Sequence, residues 1–318
     1  MGARHVPGQP PLTIILGRPQ QIATGGAALR APTKPQTGFK MGWMRLRIYL
    51  LTAVESLLLG GAKTASRLRP KSPPQKGLIS ILIPALETRA ELLGGRCLPS
   101  IEAQTYSNFE VIVVTESYSS EIDDAVRGRG SNFLYFWGTK KSRALENADA
   151  KSMWCSGAVP NLKLASRKAR GEFFSRMDDD DEWFPEHLET GITFLLENEL
   201  DFASSKALGA DGSEISGSNV GGEDFGDDYK WKKLEGIVGT PITWLYRSHL
   251  RVLRFNANSW KKKINRPVDY DFMLRMAAAG ARFGFNPRVT ARQCLRPGVE
   301  GMTGHKAFIK ESGTGALS

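Results

Sequence analysis

The apolar positions of this chain fall into short continuous runs that alternate with stretches of helical period. LISILIP (78–84), FEVIVVT (109–115) and NFLYFWG (132–138) are apolar almost throughout, as is EFFSRM (172–177) up to its last residues. Runs of this length bounded by turn residues predict strands covered on both faces, which is the habit of a parallel sheet. Between them, RAELLGGRCLPSIEAQ (89–104) and PNLKLASRKARG (160–171) carry a helical pattern. The first is weakened by Gly94, Gly95 and Pro99. The second has Pro in its first turn and Gly at its end. Strand, helix, strand, helix predicts an α/β domain, a mostly parallel central sheet flanked by helices.

The second half is more mixed. An amphipathic helix is expected over 185–199, a strand over 200–208, and a strand pair or bent strand over 236–247. DYDFMLRMAAAG (269–280) predicts a helix opened by acids and closed by Gly280. ARFGFNP (281–287) predicts a final strand, and residues 209–230, rich in Gly, Ser, Asp and Glu, predict a loop.

The N-terminal quarter has a different character. Residues 1–43 are expected as a disordered basic arm, since they are rich in Gly, Pro, Gln, Ala and Thr without sustained period. Residues 44–76 are expected as an amphipathic helix followed by a Pro-rich linker. The helix can pack on the domain or lie on a membrane surface as a peripheral contact, and both readings stand open. Its apolar part is too short to span a bilayer, and Glu55 interrupts it. The expected domain is 77–304, with a flexible tail over 305–318.

Charge sharpens this division. The formal net charge is +10, but residues 1–76 hold 12 of the 43 Lys and Arg and one of the 33 Asp and Glu. The body is therefore close to neutral, which argues against a nucleic-acid binder. The 3 cysteines are far apart with no Cys-x-x-Cys pair, so neither zinc nor a disulfide framework is expected, and a cytoplasmic location fits.

One stretch demands chemistry. FFSRMDDDDEWFP (173–185) sets Asp178, Asp179, Asp180 and Asp181 directly after a buried strand. Ligands of open α/β sheets sit at the carboxyl ends of strands. The run is either a solvated turn with a helix cap before Pro185, which suits Asp181, or a site held together by a cation. Alternation along an extended segment would turn Asp178 and Asp180 to one side. Hard ions such as Mn²⁺ or Mg²⁺ accept oxygen ligands of this kind.

Four segments, in order, resemble the family 2 glycosyltransferases of GT-A fold. They are ISILIPALETR, LPSIEAQTYSNFEVIVV, ARGEFFSRMDDDDEWFPEHLE and VDYDFMLRMAAAGARFGFNP, spanning about Leu78 to Thr303. The resemblance implies a metal-dependent, inverting transferase. It would take a nucleotide sugar, UDP-linked by expectation, to a hydroxyl of a glycan, lipid or protein acceptor. By the same resemblance Asp180 contacts the metal together with Asp178. Asp178 or Asp179 faces the ribose or a metal-bound water. Pro84, Leu86, Glu87, Glu116 and Lys163 line the donor pocket. Asp269 is the general base, with Asp271 as its substitute; a single base without a nucleophile implies inversion.

Several positions depart from the family pattern. Thr115-Glu116-Ser117 replaces an Asp pair, Leu86-Glu87 and Leu162-Lys163 stand at altered donor positions, and Pro297 removes the signature of processive synthases. A catalytically degenerate binding or scaffolding protein is therefore the alternative. A nucleotidyltransferase is disfavoured because PALETR lacks a Gly-rich, Lys-bearing loop. Arg275, Trp183, Trp244, His187 and His305 are weaker candidates, for which a salt bridge, core packing or a surface position is the plainer reading.

Overall fold

The computed structural model describes residues 73–139, 156–216, 218–219, 237–257 and 268–294, with Val54, Leu57, Gly60 and Gly61. The expected arm, most of the expected helix over 44–60, the tail and His305 lie outside the described residues.

In chain order the strands are β1 (Gln75–Pro84), β2 (Phe109–Val114), β3 (Phe133–Phe136), β4 (Gly171–Arg176), β5 (Glu182–Trp183), β6 (Phe202–Leu208), β7 (Glu214–Ile215), β8 (Ser218–Asn219), β9 (Ile237–Val238), β10 (Leu245–Arg247) and β11 (Phe283–Arg292). The main sheet has nine strands, with β3-β2-β1-β4-β10-β6-β11-β5 as its path and β7 beside β6. Neighbours β1, β2, β3 and β4 are parallel, as are β6 and β11, while the short β5, β7 and β10 pair antiparallel. This is the mixed α/β architecture, a mostly parallel sheet with flanking helices, that the apolar runs predict.

Alternation along the strands builds two cores. Ile79, Ile81 and Ile83 of β1 join Val111, Val113 and Phe173 on one face. Leu82, Ile112, Val114 and Phe174 point to the other. The first face is covered by α1 (residues 90–102), α2 (Ser120–Val126) and α4 (His187–Glu197), the second by α3 (Val159–Lys168), a 3-10 turn over Ser248–Leu253 and α5 (Val268–Ala278).

The glycines that weaken the pattern of α1 have a local explanation. The helix widens into a π turn at Leu93–Cys97. A Cβ on Gly94 would stand 3.2 Å from Ala125 Cβ, so its absence lets α1 and α2 approach. Arg129 Nη2 donates to Gly94 O at 2.6 Å, satisfying a carbonyl of the widened turn. At the other end of the chain Gly280, at φ +83°, terminates α5 as expected.

Three features differ from the sequence reading. The helix α2 was not expected; it is only seven residues long, and Ser119 Oγ caps it by accepting from Ile122 N–H at 3.2 Å. Strand β11 continues to Arg292 past Pro287, because register shifts between Asn286 and Val289 absorb the proline. The loop expected over 209–230 contains the short strands β7 and β8, whereas 236–247 forms two strands about a 3-10 turn at Pro241–Thr243, as expected.

Candidate active site

The aspartate run leaves β4 at the carboxyl edge of the sheet. It does not stay extended. Asp181 N–H donates to Asp178 O at 3.3 Å, closing a turn that breaks the strand alternation. The expected pairing of Asp178 and Asp180 on one side through alternation therefore fails. Asp178 turns one way, and Asp179 and Asp180 turn the other.

Asp179 and Asp180 share a guanidinium. Arg89 Nη1, from the turn after β1, lies 2.8 Å from Asp179 Oδ1 and 3.2 Å from Asp180 Oδ2. Asp179 Oδ2 also accepts Leu86 N–H at 2.8 Å, so this carboxylate ties the β1 loop to the β4 turn. Burial pushes the Asp179 carboxyl up to about 6, against the opposing pull of Arg89 and the Leu86 amide. Arg96, on the π turn, donates to the Asp180 carbonyl at 3.1 Å. Asp181 accepts Cys294 N–H at 2.9 Å, a support that ties the turn to the end of β11.

Asp178 faces Asp269. Arg176 Nη2 is 3.0 Å from Asp178 Oδ1, and its Nη1 is 3.4 Å from Asp269 Oδ2. Burial opposes the Arg176 charge, yet Asp178 and Asp269 more than offset it and its pKa is raised. Its buried Nε makes no hydrogen bond among the described residues. The Asp178 side chain keeps 30% of its surface exposed and that of Asp269 20%, whereas that of Asp180 keeps 3%. Asp269 Oδ1 accepts the N–H of Tyr270 at 2.8 Å, fixing its orientation at the start of α5. Asp271, fully buried, turns instead to Arg275 Nε at 2.9 Å.

The remaining donor-pocket candidates separate. Pro84 ends β1 opposite Val114. Leu86 is exposed, and Glu87 Oε1 accepts Ser117 N–H at 2.6 Å, so the loops after β1 and β2 are joined. Exposed Glu116 stands in the second of these, its carbonyl accepting Gly138 N–H at 3.1 Å. Lys163 lies on α3, where the charges acting on its ammonium are those of Arg254, Arg167 and Arg275; burial, followed by these cations, lowers its pKa.

Trp183 and Trp244 are core residues, their Nε1 atoms donating to Ile242 O and Gly239 O at 2.7 Å. His187 is buried, stacked on Trp183 at 4.2 Å and hydrogen-bonded to Thr290 Oγ1 at 2.7 Å.

The sequence reading missed Arg89, Arg176 and Asn161. Asn161 Nδ2, on α3, donates to Ala85 O at 3.4 Å, beside Leu86. It also missed a half-exposed aromatic pair at the same edge, Tyr118 and Trp137, with rings 5.0 Å apart. The signal was there for Trp137, an aromatic just past a strand end. For the arginines only the fold supplies the partner.

Among the described residues no group of three or more His, Cys, Asp and Glu side chains is gathered to hold an ion unaided. The donor set does suit a hard cation that takes one or two protein oxygens and completes its shell from a ligand. Asp178 is the more open carboxylate, and Asp180 is buried against Arg89.

An acidic turn at the carboxyl edge of an α/β sheet, joined through Arg176 to a carboxylate at the start of a neighbouring helix, marks a candidate site. Comparison with known proteins adds partial matches. Residues 154–258 match the description "Glycosyl transferase family 2". An uncharacterised glycosyltransferase of Rickettsia typhi is 29% identical over 124 residues, 39% of this chain and 33% of the relative. A second, from Rickettsia bellii, is 25% identical over 126 residues, 39% of this chain and 16% of the relative. The chain thus spans a third or less of the length of these curated relatives. Among solved structures, S. aureus TarS aligns with a TM-score of 0.49 at 17% identity, covering 69% of this chain and 37% of the other. A mannosyltransferase from Pyrobaculum calidifontis aligns at a TM-score of 0.45 and 16% identity, covering 83% and 70%. The family match and the curated relatives each cover only part of this chain, and all of them are to glycosyltransferases.

Proposed function

We propose that this protein transfers a sugar from a nucleotide-sugar donor, UDP-linked, to an acceptor hydroxyl, with a divalent cation and with inversion. The observation that carries this reading is the Arg176 bridge, which sets Asp178 and Asp269 on either side of one guanidinium at the carboxyl edge of β4. On this reading the donor diphosphate lies beside Asp178 and Asp180. Asp178 would hold Mn²⁺ or Mg²⁺ there, with Asp180 adding its charge from its place on Arg89, and the ion would supply neutralisation of the leaving diphosphate. The amides and side chains of the loops at Pro84, Leu86, Glu87 and Glu116 position the nucleoside, and Asp179 fixes that loop through the Leu86 N–H. Asp269 accepts the proton of the acceptor hydroxyl as the hydroxyl attacks the anomeric carbon. Its partial exposure and fixed orientation suit that role, while the buried Asp271–Arg275 pair suits a structural one.

A second reading rests on Arg89. A guanidinium already neutralises Asp179 and Asp180, as an ion would, and this favours a binding protein that does not turn over. Calorimetric titration of UDP into the full chain, with Mn²⁺ and with EDTA, separates the two. Nucleotide affinity that requires Mn²⁺, with sugar release or transfer from a UDP-sugar, supports the transferase. Affinity unchanged in EDTA and abolished in Arg89→Gln supports the second reading.

Among the described residues no helix is long and apolar enough to cross a membrane. Val54 and Leu57, both helical, are exposed, which supports a peripheral membrane contact by this segment.

A further inference from the structure

Arg176 is anchored where the carboxylates beside it are not. It is the last residue of β4, in register with Leu82 of β1, and the amide after it, that of Met177, donates to Leu82 O at 3.1 Å. Asp178 lies beyond the strand, in the turn closed by Asp181, and Asp269 lies in the first turn of α5. The Arg176 side chain is nearly buried, while both carboxylates keep part of their surface exposed. The fixed member of the group is therefore the cation, and the carboxylates reach it from more open positions.

Its two contacts are unequal. Nη2 stands 3.0 Å from Asp178 Oδ1, an ordinary hydrogen-bond length, and Nη1 stands 3.4 Å from Asp269 Oδ2, a longer one. Asp269 is also held from its own helix, its Oδ1 accepting the Tyr270 N–H at 2.8 Å. The guanidinium thus leans on Asp178, the carboxylate that the transferase reading gives to a divalent cation. A guanidinium and a divalent cation against one carboxylate repel each other. A nearly buried guanidinium that gives up one carboxylate needs another, because an unpaired charge away from water is costly. Asp269, at 3.4 Å, is in place to be that second partner.

We propose that Arg176 is a positioning residue that exchanges partners: it competes with a divalent cation for Asp178, and when the cation holds Asp178 the guanidinium passes to Asp269. The exchange deepens the transferase reading and rests on it for the roles of Asp178 and Asp269. Its consequence is an order of events. Asp269 is drawn onto Arg176 only once the cation side of the site is filled, so the general base is set after the donor and its ion are in place. The forked guanidinium suits this task, since its two Nη atoms can hold one carboxylate while releasing the other, whereas an ammonium offers a single point charge. No covalent bond changes and no proton moves in the exchange.

The test is a titration of Mn²⁺ alone into the full chain without nucleotide, read by electron paramagnetic resonance of the free ion. Wild type, Arg176→Gln, Asp269→Asn and the double variant are compared, each with its thermal melt. Arg176→Gln should bind Mn²⁺ about fivefold more tightly or better, because the competing cation is gone. A merely structural arginine would give the opposite sign. Asp269→Asn should bind Mn²⁺ about threefold more weakly or worse, because Arg176 then has no second carboxylate to pass to. UDP affinity at saturating Mn²⁺ is untouched by this, since the ion is already bound. In the Arg176→Gln background the same Asp269→Asn change should shift Mn²⁺ affinity by less than about twofold. Arg176→Gln that binds no tighter than wild type overturns the proposal, as does absence of Mn²⁺ binding in both. Equal losses from Asp269→Asn in the two backgrounds also overturn it, for Asp269 would then act by its charge alone. Where Arg176→Gln does not fold, unchanged Mn²⁺ affinity in Asp269→Asn is the overturning result and a weakened one the supporting result. Turnover of a UDP-sugar, measured on the same wild-type sample, reports on the transferase reading. Turnover with additive Mn²⁺ effects removes the exchange alone, and the Mn²⁺ pattern without turnover removes the reading alone.

Discussion

Arg176 stands between Asp178 at 3.0 Å and Asp269 at 3.4 Å, joining residues that are 91 positions apart in the chain. The bridge is fixed because Arg176 is the last residue of β4 and Asp269 opens α5. One buried cation thereby joins the two carboxylates across the site. It also leaves its own Nε without a partner among the described residues, a cost of about 1–3 kcal/mol.

Asp269→Asn should abolish transfer while leaving nucleotide affinity within about twofold. Loss of general-base help costs about 10²–10⁴ in rate. The amide keeps the shape of the carboxylate and its contact with the Tyr270 N–H. Steady-state transfer assays beside UDP titrations check this. A variant that turns over normally would remove Asp269 from the reaction.

Asp271→Asn should behave in the opposite sense. Its carboxylate is fully buried and pairs with Arg275 at 2.9 Å. Breaking a buried pair from one side costs about 3–5 kcal/mol. Urea unfolding should show that loss, and the molecules that remain folded should transfer sugar at near wild-type rate. A stable but inactive Asp271→Asn would exchange the roles assigned to the two residues.

The scaffold was readable from the sequence because burial on both faces leaves a strand almost wholly apolar. Ile79–Pro84 and Val111–Val114 are examples, and both lie in the observed strands. The place of the acidic run just past the end of a strand was readable too, while its role rests on the proposed function. Its internal geometry was not. The side to which each aspartate turns depends on an Asp178–Asp181 turn and on Arg89, and the run itself signals neither. Trp183 and Trp244 show the converse. Both are aromatic residues near the site in sequence, and both fill the core because their indole N–H groups find buried carbonyls.

Asp180→Asn should weaken Mn²⁺-supported UDP binding by at least tenfold, and EDTA should do the same to wild type. Asp180 is two residues from the more open Asp178 carboxylate, so on the proposed reading its charge adds to the field that holds a cation even though Arg89 also contacts it. Calorimetry with and without Mn²⁺ measures both effects. Identical UDP affinity in the two conditions would remove the cation from the proposed function.

His187 gives a prediction about pH. Burial lowers its pKa from 6.5 to about 3, so the folded protein holds it neutral on Thr290 Oγ1 and against Trp183. The unfolded chain takes up a proton near pH 6.5, whereas the folded chain resists it until about pH 3. The unfolded state therefore binds more protons in this window, and stability falls as pH falls from 6.5 towards 3. At pH 4 the penalty from this one imidazole is on the order of 3 kcal/mol, and above pH 7 it vanishes. His187→Gln removes the titration and keeps a polar group near Thr290. Urea unfolding of the two proteins at pH 7 and pH 4 isolates the effect. The wild type should lose roughly 3 kcal/mol more than the variant between those values. Equal losses would mean that His187 is protonated in the folded protein and that water reaches the space between α4 and β11.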